Sequence, residues 1–129
     1  MVGTLRMALC AVLLFMASAV AVQAKCTLDY YKKCWAGIAV GPEGEFGAMT
    51  HAFDKDEAVS GAFRSCGGTC NGHYWFFNRC GAVAYGGDGV WGFGSTVRNI
   101  PRARKKAIAD CIRNGGAACG IRFEACSRP

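Results

Sequence analysis

Short apolar strands and amphipathic helices alternate along this chain, and the same alternation occurs twice. In the first pass, Gly37-Ile38-Ala39-Val40 is a brief apolar run that breaks into Gly41-Pro42-Glu43-Gly44. Glycines that accept positive φ and a proline with a preset one give that break hairpin-turn chemistry, and Glu45-Phe46-Gly47-Ala48-Met49-Thr50 is the returning strand. The period then changes. Ala58, Val59, Ala62, Phe63 and Cys66 recur on one stripe of a 3.6-residue helix, with Asp54 and Glu57 as its capping pair and Gly67-Gly68 as its end. The third strand, His73-Tyr74-Trp75-Phe76-Phe77, is apolar on both faces, which predicts a central position or one beneath a helix.

The second pass repeats these signals. Ala82-Val83-Ala84-Tyr85 leads through Gly86-Gly87-Asp88-Gly89 into Val90-Trp91-Gly92-Phe93-Gly94-Ser95. Ala103, Ala107, Ile108, Cys111 and Ile112 form the helical stripe, with Asn99 at the cap, Pro101 in the first turn and Gly115-Gly116 at the end. The last strand, Gly120-Ile121-Arg122-Phe123-Glu124, alternates, which predicts Arg122 and Glu124 on the face opposite Ile121 and Phe123. An offset of 45 positions carries Ala39 onto Ala84, Gly47 onto Gly92 and Cys66 onto Cys111. After an insertion in the second copy, Cys70 falls on Cys119, Phe77 on Phe123 and Cys80 on Cys126. Tandem ββαβ units, about residues 34–80 and 80–126, predict an α+β fold with two helices packed on mainly antiparallel sheet, or on two sheets related by a pseudo-twofold. Neither stripe is wide enough to bury itself, so the units are expected to fuse into one domain over residues 25–129.

Residues 1–24 read as a signal peptide rather than as fold. Arg6 is their only charge, a hydrophobic run follows it, and Val22-Gln23-Ala24 fits a small-x-small cleavage site. The expected location is periplasmic or secreted, after cleavage behind Ala24. Of nine cysteines, Cys10 leaves with the signal and eight remain, which in a short exported chain reads as a disulfide framework. The repeat favours Cys66–Cys70 and Cys111–Cys119 as matching local bridges. Cys26–Cys34 and Cys80–Cys126 are the simplest remainder.

The residues and their order resemble the bacterial exported family numbered 4189 among domains of unknown function. The shared features are the small-residue strand starts, the Gly-rich hairpins, the Ala-rich helices ending near cysteine, and the cysteines flanking the third strands. The resemblance covers about residues 34–126. It implies a small exported bacterial protein of ββαβ repeats and carries over no catalytic residue. Gly61 inside the first helix departs from it, at a cost of about 1 kcal/mol relative to alanine.

Candidate chemistry is sparse. Cys66-x3-Cys70-x2-His73 has ligand types for zinc, but an oxidising compartment favours a disulfide over thiolates, so no metal or cofactor is expected. His51 and His73 are the only imidazoles, and Glu43, Glu45, Asp54, Asp56 and Glu57 are the carboxylates of the first unit. Gly86-Gly87-Asp88-Gly89 leads into a strand and so lacks the helix start of a phosphate loop. The formal net charge is +6. Arg102, Lys105, Lys106 and Arg113 share the solvent side of the second helix and are the candidate binding residues. They suit an acidic protein or an anionic envelope component, whereas nucleic acid is not expected for an exported chain without aromatics on that helix. The expectation is a non-enzymatic, disulfide-stabilised binding module, an inhibitor or a host-directed effector. The alternative is a small secreted hydrolase using Asp or Glu with His51 or His73. An exposed aromatic row would mark a further partner or dimer surface.

Overall fold

The computed structural model describes Cys26 and residues 32–128; the expected signal segment, residues 1–24, lies outside the described residues. The elements run β1 (Trp35–Val40), β2 (Phe46–Ala52), α1 (Lys55–Cys66), β3 (Gly72–Phe77), β4 (Cys80–Tyr85), β5 (Trp91–Thr96), α2 (Ile100–Arg113) and β6 (Gly120–Cys126). They form two three-stranded antiparallel sheets, ordered β2-β1-β3 and β5-β4-β6, so each unit places its first strand in the centre. This is the expected α+β, tandem ββαβ architecture, in its two-sheet form.

Alternation along each strand makes four layers: α1, first sheet, second sheet, α2. Side chains of odd-numbered β1 residues face α1, and a Cβ added at Gly37 would strike the Ala58 carbonyl. Ala36, Ile38 and Val40 face the other way. They meet Phe76, Val83 and Trp91 in one buried cluster drawn from both units. Around it Tyr74 stacks on Phe93 with ring centroids 4.9 Å apart, and Phe46 lies 5.6 Å from Phe123. A second cluster, Ala82, Ala84, Ala103, Ala107 and Cys111, is the small-residue interface between α2 and its sheet. Both helices sit close enough that a side chain at Gly47 would fall on the backbone of Ala62 and Cys66, and one at Gly92 on that of Ala107 and Cys111.

The helix starts behave as their sequences indicate. Asp54 Oδ1 accepts the Glu57 N–H at 2.7 Å, and the Glu57 carboxylate accepts the Phe53 N–H at 3.0 Å. Asn99 Oδ1 accepts the Arg102 N–H at 3.0 Å. Disulfides join Cys26 to Cys34, Cys66 to Cys70, Cys80 to Cys126 and Cys111 to Cys119. The two local bridges tie the helix ends to the approaches of β3 and β6. Cys80–Cys126 is a cross-strand bridge between directly paired residues, with Cα atoms 3.8 Å apart.

Three expectations about the third strands need correction. First, β3 is not central; it is the edge of its sheet, reached on its helix side by Lys55 and Phe63 of α1, and Trp75 is 40% exposed. Its two apolar faces have different causes. Tyr74 and Phe76 turn into the inter-sheet core, while Trp75 and Phe77 join Trp35 on the helix side. Second, β6 does not alternate cleanly. The ladder shifts between Val83 and Ala84, which pair with Phe123 and Ile121 and leave Arg122 as the extra residue of a bulge. Ile121 and Glu124 therefore face α2, whereas Phe123 faces the core and Arg122 lies over the Tyr85 ring at 5.2 Å. Third, the register replaces Phe77/Phe123 and Cys80/Cys126 as equivalent pairs. Trp35 pairs with Phe77 where Cys80 pairs with Cys126, so Phe77 occupies the position of Cys126 and Cys80 that of Trp35.

Candidate functional site

Arg102, Lys105, Lys106 and Arg113 are all exposed on α2, and the structure divides them between two depressions. Arg102 and Lys105 line one of about 420 Å³ at the helix start, with Asn99 and Pro101. Lys106 and Arg113 line a groove of about 490 Å³ between α2 and β5, floored by Phe93, Gly94 and Ser95. Arg79, from the β3–β4 connection, forms part of the same groove. Sequence reasoning missed Arg79 because it is far along the chain from α2 and stands alone, with no periodicity to flag it.

The five cations differ in how they are held. Arg113 is ion-paired to Asp110, whose other oxygen accepts the Phe93 N–H at 2.9 Å. Lys106 Nζ reaches the Ser95 carbonyl at 3.4 Å. Arg102, Lys105 and Arg79 have no side-chain hydrogen bond or ion pair among the described residues. Arg104, on the neighbouring side of α2, is paired to Glu124 of β6. Hydrogen bonding to the guanidinium holds the Glu124 carboxyl below its ordinary range and raises Arg104 in turn.

The histidines lie apart. His51 has a left-handed backbone (φ 58°), and its Nδ1–H donates to the Ser127 carbonyl at 3.1 Å. His73 is exposed, with its ring 5.7 Å from that of Phe63. Among the described residues, neither hydrogen-bonds a carboxylate. Asp54 and Glu57 are occupied in capping α1, and Glu45 accepts from the Glu43 N–H in the hairpin turn. Both sulfurs of Cys66-x3-Cys70-x2-His73 lie in a disulfide, and no His/Cys/Asp/Glu group able to hold a metal occurs among the described residues.

On the opposite side of the molecule, Trp35 lies 5.6 Å from Trp75 and 4.8 Å from Phe77. Lys55 Nζ sits 4.4 Å above the Trp75 ring and Lys33 Nζ 4.8 Å above that of Phe77. The aromatic row is thus exposed at its edge, but its faces are engaged by cations, each worth about 0.5–1 kcal/mol.

The chain matches the family model described as Domain of unknown function (DUF4189) over residues 35–126. It belongs to the DUF4189 family. The family span begins with β1 and ends with Cys126, so it takes in both ββαβ units and three of the bridges while leaving Cys26–Cys34 outside. No curated protein and no solved structure matches the chain. Among the described residues no helix is long and apolar enough to cross a membrane.

Proposed function

We propose that this DUF4189 protein is a small exported bacterial binding module without enzymatic activity, released by cleavage after Ala24. It engages an acidic protein or an anionic envelope component through the basic face of α2. The observation that carries this reading is the convergence of Arg79, Lys106 and Arg113 on one groove, continued along the helix by Arg102 and Lys105. Helix stability accounts for Arg113, in the last turn and paired to Asp110, but not for Arg102. The first turn of α2 has no acidic residue and carries Arg102, at the end where the helix dipole disfavours a cation by about 0.3–1 kcal/mol. The disulfide framework supports a surface-acting role, because the Cys111–Cys119 bridge ties down the end of the helix that carries the cations without needing a large core.

Retention on immobilised heparin tests the reading. The wild-type protein is expected to be held at low salt and released by a modest increase, as screening requires. The K105E/K106E variant is expected to pass through unretained while keeping its circular dichroism spectrum. Equal retention of the two proteins would remove this face from consideration.

A further inference from the structure

A third depression, of about 420 Å³, lies between the two hairpin tips, where the sheets meet the end of α2. It is distinct from the basic groove, and no Asp, Glu, Lys or Arg lines it. Val40, Pro42, Val90 and Trp91 supply apolar wall. The walls are clamped across the seam between the units. Trp91 Nε1–H donates to the Gly41 carbonyl at 2.7 Å, and the Tyr85 hydroxyl to that of Pro42 at 2.9 Å. The Asn114 side-chain amide donates to the Trp91 carbonyl at 2.9 Å. A cleft held this way needs little ordering when it binds.

Three of the lining residues carry neutral polar groups with hydrogen-bonding capacity left over. The Tyr74 hydroxyl and the Asn71 side-chain amide have no hydrogen-bond partner among the described residues, and Asn114 uses its NH₂ but not its Oδ1. The Tyr74 ring is fixed by stacking on Phe93, with planes 10° apart. Burial, with a smaller contribution from Asp110, raises the Tyr74 pKa, so the hydroxyl remains a donor throughout the neutral range.

We infer that this cleft is a binding site for a neutral saccharide, hydrogen-bonded by Asn71, Tyr74 and Asn114. A charged ligand would enter without a counter-charge. A wholly apolar ligand would strip water from three polar groups and give nothing back. A sugar presents hydroxyls that both donate and accept, matching two amides and a phenol, and C–H surface that matches the valines, Pro42 and Trp91. The volume falls within the usual range of ligand pockets, about 300–1,000 Å³.

The test is a ¹⁵N-resolved NMR titration of the folded, oxidised protein with chitotriose and, separately, maltotriose at millimolar concentration. At least one sugar is expected to shift the Asn71, Gly72 and Asn114 signals saturably. Tyr74→Phe and Asn71→Ala, which keep the ring and the fold, are each expected to weaken that binding about fivefold to tenfold. K105E/K106E is expected to leave it unchanged, so the outcome is independent of the basic-face reading. Absence of saturable shifts with both sugars would overturn the inference. So would shifts mapping elsewhere, or wild-type affinity in both Tyr74→Phe and Asn71→Ala.

Discussion

The two units build the same interfaces with different parts. At the outer rung of β4–β6 the second unit has the Cys80–Cys126 disulfide; at the matching rung of β1–β3 the first has Trp35 against Phe77, with Lys33 above the ring. Between helix and sheet the exchange is one of size. A side chain at Gly61 of α1 would strike the Met49 sulfur, so the strand supplies the bulk and the helix the space. At the matching place in the second unit the strand has Gly94, and the helix has Lys106, whose Cβ occupies that space. Gly61, which looks like a flaw when the helix is considered alone, is thus half of a compensated pair. The exchange also has a functional side. With Gly94 in the strand, the helix position is free to carry a lysine whose stem packs inward while its ammonium reaches the groove.

The rung comparison carries the largest expected effect. In the chain-entropy account, removing Cys80–Cys126, whose cysteines are 46 residues apart, is expected to cost about 4 kcal/mol. Phe77→Ala, at the half-buried aromatic rung, is expected to cost about 2 kcal/mol. Urea unfolding of the double-serine variant and of Phe77→Ala compares them directly. Equal losses would mean that the covalent rung holds no more than the aromatic one.

The size exchange predicts a smaller, non-additive effect. Met49→Ala empties the space over Gly61, and Gly61→Ala alone meets the flexible end of Met49 while improving helix propensity. Together they are expected to cost about 1 kcal/mol less than the sum of the two. Strict additivity in a double-mutant cycle would sink the idea that the positions compensate.

The smallest effect concerns an ion pair present only in the second unit. The Glu124 carboxyl is depressed by its hydrogen bonds to Arg104. Its contribution is therefore present above the ordinary carboxylate range and lost as pH falls through the depressed value. Because the pair is solvent-exposed, the gain is small. Thermal melts should show wild type slightly above Glu124→Gln at neutral pH, with the gap closing in strong acid. A gap that persists there would assign the difference to packing.

The parts of this structure legible in the sequence are those set by neighbours along the chain. Gly41-Pro42-Glu43-Gly44 specified a hairpin through its own backbone preferences. Asp54 with Glu57, and Asn99 with Pro101, marked helix starts because each cap is completed within a few residues. Cys66 and Cys70 could be read as a local bridge because the loop between them is short. The functional surfaces were less legible. Helical spacing placed Arg102, Lys105, Lys106 and Arg113 on one face, but nothing in their spacing shows that Arg113 is held by Asp110 or that Arg79 completes the groove. The cleft was invisible, since Asn71, Tyr74 and Asn114 are brought together only by the docking of one hairpin tip on the other.

Two ββαβ units stapled by cysteines could be read from the amino-acid order alone, because duplication and local propensity are written in short-range order. That β3 is an edge, that β6 carries a bulge at Arg122, and that Trp35 rather than a cysteine is the counterpart of Cys80 emerged only from the folded arrangement. Strand register depends on cross-strand hydrogen bonds between distant segments, and a shift of one residue moves a side chain to the opposite face of the sheet. Those choices are made by the two sheets closing on a common core, a requirement that no single stretch of the sequence expresses.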